Sequence, residues 1–161
     1  MLFNQLLDLV YQDQSLLSND DCDLFVNMLG DKTEFIISDN NNILETSLES
    51  VLTNYIQTKN YLIKYNFLKK DGLIIGEFTI INKDYCNTFD VCHSLNVYKY
   101  LTIIYFLDDN STIIFFNNHT IHPSKGNIII FPIAWFFVYK IIKKNKNNNN
   151  IYIFNNVLKT Y

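Results

Sequence analysis

Apolar and polar positions change their period near residue 61 of this chain. Before that point the spacing is helical. Ser18 precedes Asn19, Asp20 and Asp21, and Cys22, Phe25, Val26 and Leu29 follow at i, i+3, i+4 and i+7, with Gly30 closing the run. A hydroxyl cap, acidic residues at the positive end and a terminal glycine predict a helix over 18–29. Leu48, Val51, Leu52, Tyr55 and Ile56 trace a second stripe, predicting a helix over 46–57 with Thr46 or Ser47 as its cap. Residues 34–37 read as a short strand and SDNNN as a loop, while residues 2–17 are apolar in a mixed pattern that fits neither period.

From Tyr61 the chain alternates. In YLIKYNFL, Tyr61, Ile63, Tyr65 and Phe67 fall on one face, and Lys64 and Asn66 on the other. KKDG is a turn, residues 73–81 form a strand with Gly76 as a bulge, NKDYCN turns again, and 89–93 is a further strand. The organising stretch runs from 100 to 139, where apolar runs at 101–107, 112–116 and 128–131 are parted by DDNS and PSKGN. This is the spacing of a strand meander, with Pro123 opening a turn and Pro132 closing a strand. KKNKNNNN at 143–150 reads as an exposed loop and 151–158 as the last strand. Two helices followed by about eight strands predict a mainly β fold, a β-sandwich or jelly roll with both helices packed on one sheet.

With 161 residues and a 48% hydrophobic share, the chain is expected to form a single domain, 1–161, with a substantial core. Its 13 basic residues are all lysine, and with many Asn, Ile and Tyr this points to an AT-rich genome, viral or parasitic. The net charge of −3 argues against nucleic acid as a partner. The apolar run at 128–139 is too short for a membrane span and contains Pro132, and the first residues lack the basic start of a secretory signal. Cys22, Cys86 and Cys92 show no zinc spacing. The expectation is an intracellular, cytoplasmic protein with reduced thiols.

Few residues offer chemistry. There is no phosphate-binding loop, dinucleotide fingerprint, nucleophile elbow or HExxH. Asp108 and Asp109 suit a hairpin turn. Cys92 and His93 are neighbours on a strand, so they point to opposite faces and make no nucleophile–base pair. His119 and His122, three apart on a strand, also diverge.

Three segments carry a family resemblance. SLLSNDDCDLFVNML resembles the opening helix of the prolyl 4-hydroxylase-like Fe(II)/2-oxoglutarate oxygenases, FDVCHSLNVYKYLTIIYFLDD their first metal-ligand segment and next strand, and HTIHPSKGNIIIFPIAWFFVYK their turn and strand before the last ligand. IYIFNNVL would be the closing strand. The resemblance implies a double-stranded β-helix, Fe(II) held by His-x-Asp plus a distal His, and 2-oxoglutarate gripped by a cation on the closing strand. Here His93 matches the first ligand position, Leu95 stands at the carboxylate position and Tyr139 at the distal one. Asn150 or Ile151 stands where the cation belongs, and Phe106 replaces a tyrosine that assists the grip. Ile103, Phe106 and Phe131 are expected to line the cosubstrate end.

One imidazole does not hold Fe(II), and a buried carboxylate without a cation bears a large cost. The sequence therefore points to an oxygenase-like fold with a degenerate site, without bound cofactor, acting as a binding or assembly module toward a protein partner or copies of itself. Two rivals stand beside it. One is an active hydroxylase that uses His93, Tyr139 and another carboxylate, with Fe(II) and 2-oxoglutarate; the other is a viral jelly-roll structural protein. His93 also has a plainer reading, as a strand-end histidine bonded to backbone.

Overall fold

The computed structural model describes residues 11–13, 17–37, 42–58, 73–86, 100–115, 118–132 and 138–159. Helix α1 spans Asn19–Leu29, with the Ser18 hydroxyl accepting from the Asp21 N–H and Gly30 closing it at φ 59°. Its buried face is Cys22, Phe25 and Leu29, the stripe the spacing predicts. Helix α2 spans Asn42–Thr58 and begins four residues before the predicted start. Ser47 is not its cap, because its hydroxyl donates to the Ile43 carbonyl inside the helix. Leu48 and Leu52 are buried, whereas Val51 is exposed. No helix among the described residues is long and apolar enough to cross a membrane.

Every described element after α2 is a strand. Strands β1 (Tyr11–Asp13), β2 (Glu34–Ile36), β3 (Leu73–Ile75), β4 (Thr79–Asn82), β6 (Tyr100–Phe106), β9 (Ile128–Pro132) and β11 (Ile151–Lys159) form the larger sheet. Its order is β1-β9-β6-β11-β4-β2, with β3 also on β11. Strands β5 (Tyr85–Cys86), β7 (Ser111–Phe115), β8 (Thr120–Ile121) and β10 (Tyr139–Lys143) form the smaller one, in the order β5-β10-β7-β8. All pairings are antiparallel. This is the expected jelly roll, with eleven strands among the described residues where about eight are legible in the sequence.

The excess has local causes. The run predicted over 73–81 splits into β3 and β4 at Gly76, whose N–H donates to the Asn156 carbonyl at 2.9 Å. The Asn155 side chain holds the break by donating to the carbonyls of Gly76 and Glu77. NKDYCN is not only a turn, since its Tyr85 and Cys86 pair with Ile141 and Lys140. The predicted strands at 61–68 and 89–93 lie outside the described residues.

Alternation along the central strands sorts the core into two layers. Leu101, Ile103 and Tyr105 of β6, Ile128 and Ile130 of β9, and Ile151 and Ile153 of β11 face the helices, packing with Phe25, Leu29, Leu48 and Leu52. Ile104, Phe106, Ile129, Phe131 and Tyr152 face the smaller sheet and meet Ile113, Phe115, Tyr139 and Ile141. Both helices thus belong to one face of the larger sheet, as predicted.

One end of the sandwich is closed by polar loops. The Asp108 carboxylate accepts from the N–H groups of Asn110 (3.0 Å) and Ile151 (2.9 Å), so the DDNS hairpin pins the start of β11. The Asn110 amide donates to the carbonyls of Asn145, Asn148 and Asn149 and organises the exposed 144–149 loop. Gly126, at φ 89°, donates to the Phe106 carbonyl at 2.7 Å, and Lys125 Nζ meets Asp23 of α1 at 2.7 Å.

Two predictions follow from this packing. A Cβ on Gly76 would lie 2.9 Å from the Asn156 carbonyl oxygen, which is backbone and cannot swing away. Gly76→Ala is expected to cost about 1–3 kcal/mol in urea unfolding. Burial raises the Asp108 carboxyl above its ordinary value, with the two N–H groups opposing the shift. The folded chain therefore keeps a proton that the unfolded chain releases near pH 4. The stability from this group is complete below that pH and falls as pH rises through the folded value. Asp108→Asn should remove that decline, so the gap between wild type and variant should narrow from pH 4 toward pH 7. A widening gap would refute the assignment.

Candidate functional site

Tyr139 opens β10 and pairs with Phe115, the last residue of β7. Register and alternation send its ring between the sheets, where it is 4% exposed. It sits edge-on to Phe131, ring centres 5.0 Å apart, and lies 5.7 Å from Tyr85 and 6.2 Å from Phe115. Phe115 meets Phe131 edge-on at 5.3 Å, and Tyr85 lies 5.6 Å from Phe154. Five rings from five strands thus form a continuous aromatic cluster at the end opposite the polar loops. Such contacts are worth about 0.5–1.5 kcal/mol per pair beyond the area they bury.

His93 and Leu95, the other two positions of the implied ligand set, lie outside the described residues. The strand leading toward them is placed: Tyr85 and Cys86 run antiparallel to Ile141 and Lys140, alongside Tyr139. Among the described residues no three His, Cys, Asp or Glu side chains are grouped to hold a metal. Tyr139 is a poor fit to the distal position. A metal ligand presents a lone pair to an open position, whereas this ring is packed against Phe131, Phe115 and Tyr85.

The cosubstrate end needs three corrections. Ile103 faces the helices, because it is one residue out of phase with the inward-facing Ile104 and Phe106. Phe106 faces inward but packs on Tyr152 at 6.2 Å, toward the loop-closed end, and of these three residues Phe131 is the one against the Tyr139 ring. Asn150 and Ile151 do not occupy an inward cation position. Ile151 packs under the helices, and the buried Asn150 donates to Asp84. Spacing counted across the Asn-rich loop falls short; the inward residues of β11 among those described are Tyr152 and Phe154.

Three described lysines lie outside the space between the sheets, whereas the half-buried Lys143 shares the register of Tyr139 and Ile141 at the loop-closed end. Lys83 pairs with Glu34 at 3.5 Å, Lys125 pairs with Asp23, and Lys140 is exposed on the outer face of β10. The Tyr152 hydroxyl donates to the Lys83 carbonyl, and burial pushes its phenol above the ordinary range.

The two described histidines flank β8 rather than lying within a longer strand. His122 Nδ1 is hydrogen-bonded to Thr112 Oγ1 at 3.1 Å, and His119 stacks on Phe115 at 6.3 Å. His119 is therefore one ring removed from Tyr139, nearer than strand counting suggests. Sequence reasoning missed Tyr85 and Phe154. Alternation within 151–158 could have found Phe154, whereas Tyr85 was hidden in an apparent turn.

No protein-family model matches the sequence, and no curated protein matches it either. Solved structures do resemble the fold. The viral collagen prolyl hydroxylase vCPH of Paramecium bursaria Chlorella virus-1, in its 2-oxoglutarate complex, superposes with a TM-score of 0.73 at 12% identity, covering 95% of this chain and 97% of that one. HygX of Streptomyces hygroscopicus, with nickel and 2-oxoglutarate bound, gives a TM-score of 0.64 at 9% identity, over 98% and 86% of the two chains. A Pseudomonas putida prolyl 4-hydroxylase gives 0.59 at 10% identity, over 99% and 100%. At such identities the likeness speaks for architecture alone, and the architecture is the jelly roll of the prolyl 4-hydroxylase-like, 2-oxoglutarate-dependent oxygenases.

Proposed function

We propose that this chain is a non-catalytic version of the oxygenase fold, acting as a binding or assembly module toward a protein partner or further copies of itself. The aromatic cluster around Tyr139 carries this reading. It fills the region where the resemblance places the distal metal ligand, and it joins both sheets through Phe115, Phe131, Tyr85 and Phe154. A ring in the core stabilises the fold through area and contacts, whereas a metal ligand must present a lone pair to an open position. The resemblance also sets Leu95, which has no donor atom, at the carboxylate position. The residues of β11 that pack between the sheets among those described, Tyr152 and Phe154, offer a phenol and a phenyl ring, and neither would supply the charged end of 2-oxoglutarate with a cation. The lysine-only basic residues and the abundant Asn support an AT-rich genome, viral or parasitic.

The reading is tested with the purified chain. It should retain no iron after Fe(II) loading and desalting, and it should not consume 2-oxoglutarate above a protein-free control. Stoichiometric Fe(II) binding in the micromolar range, lost on His93→Ala, would restore the hydroxylase. The structural role of Tyr139 makes a separate expectation: Tyr139→Ala should cost about 3–5 kcal/mol in urea unfolding. Tyr139→His should also destabilise the fold without conferring iron retention. A Tyr139→Ala protein as stable as wild type would show that the ring is not part of the core.

A further inference from the structure

We propose that the outer face of the smaller sheet binds the C-terminal aromatic residue of a partner polypeptide, with the ring in a groove beside Tyr139 and the carboxylate on Lys140. This deepens the binding-module reading and rests on it. Tyr139 and Ile141 point inward, so alternation turns Lys140 outward, and it is exposed. The register sets Cys86 and Ile114 on either side of Lys140, with Thr120 beyond Ile114, forming one row across the four strands.

Next to this row is an open groove of about 180 Å³, lined by Cys86, Ile114, Asn118, Val138 and Lys140 and by the positions of Phe115 and Tyr139, whose rings turn inward. A benzene molecule fits an enclosed cavity of about 150 Å³, so this open groove has room for a single six-membered ring laid against the sheet. Lys140 is the only charged group among its described walls. Asn118, held at φ 67° with its N–H on the Phe115 carbonyl, adds a carboxamide that can donate to an anion. A ring and a carboxylate within one residue describe a polypeptide ending in phenylalanine or tyrosine. An internal acidic side chain would have to bring its ring from a neighbouring residue.

Cys86 lines the groove and is exposed, which makes it a reporter. The experiment measures the alkylation rate of Cys86 by N-ethylmaleimide, resolved by mass spectrometry from Cys22 and Cys92. It is run with acetyl-Gly-Gly-Phe as the free acid and as its amide. The acid should slow labelling at millimolar concentration, and the amide should need about two- to fivefold more peptide for equal protection. Lys140→Met should erase that difference while leaving weak protection by the ring. Ile114→Trp, which fills the groove from a half-exposed position, should abolish protection by both peptides. Each variant is first shown to keep the wild-type urea midpoint. No protection by the acid, equal protection by acid and amide in wild type, or protection surviving Ile114→Trp would each overturn the assignment. Failure here leaves the non-catalytic reading intact, because iron retention and 2-oxoglutarate consumption test that reading independently.

Discussion

The central strands of the larger sheet are buried on both faces, and most of this structure is arranged to satisfy that condition. Residues 101–107 are all buried, and Ile151, Tyr152 and Ile153 of the neighbouring strand are too. A strand presents alternate residues to alternate faces, so such a pair needs two separate covers. The helices supply one, through Phe25, Leu29, Leu48 and Leu52; the smaller sheet supplies the other, through Ile113, Phe115, Tyr139 and Ile141. The arrangement tolerates a local cost. The Tyr105 hydroxyl is buried under the helices with no hydrogen-bond partner among the described residues, and burial drives its phenol above the ordinary range.

The same condition bears on the site. An oxygenase of this architecture needs a hollow between its sheets that polar ligands and a cation can enter. Here the space near the start of β10 is occupied by Tyr85, Phe115, Phe131, Tyr139 and Phe154, drawn from both sheets. On the non-catalytic reading proposed above, the rings contribute packing where a working site would hold donors and charge. Opening such a cluster would forfeit contacts between the sheets, so its loss is a matter of stability before it is one of chemistry.

The other end of the sandwich uses the opposite material. Asp108 and Asn110 collect backbone groups from the start of β11 and the Asn-rich loop, and Asn127 accepts from the Ser124 N–H and the Gln12 side chain. Irregular backbone that cannot pair with itself is tied down by short amide and carboxylate side chains. A long polar loop between β10 and β11 is thus accommodated without loosening the strand that occupies the centre of the sheet.

The sequence by itself determined the elements whose cause is local. The cap at Ser18 and the stripe Cys22, Phe25 and Leu29 were enough for the first helix, and apolar runs between turn signals located β6, β7, β9 and β11. The family resemblance, counted from Pro132, set Tyr139 at the distal ligand position. Only the tertiary structure decided which face of each strand meets which partner. It moved Ile103 beneath the helices, placed Phe106 at the far end, made Tyr152 and Phe154 the inward residues of β11 instead of Asn150 or Ile151, and brought Tyr85 from an apparent turn into contact with Tyr139. The physical reason is that periodicity is a property of neighbours along the chain, whereas register is set by pairing between distant segments. A shift of one residue reverses every side chain, and a loop of the length of KKNKNNNN breaks the count that would carry the phase across it.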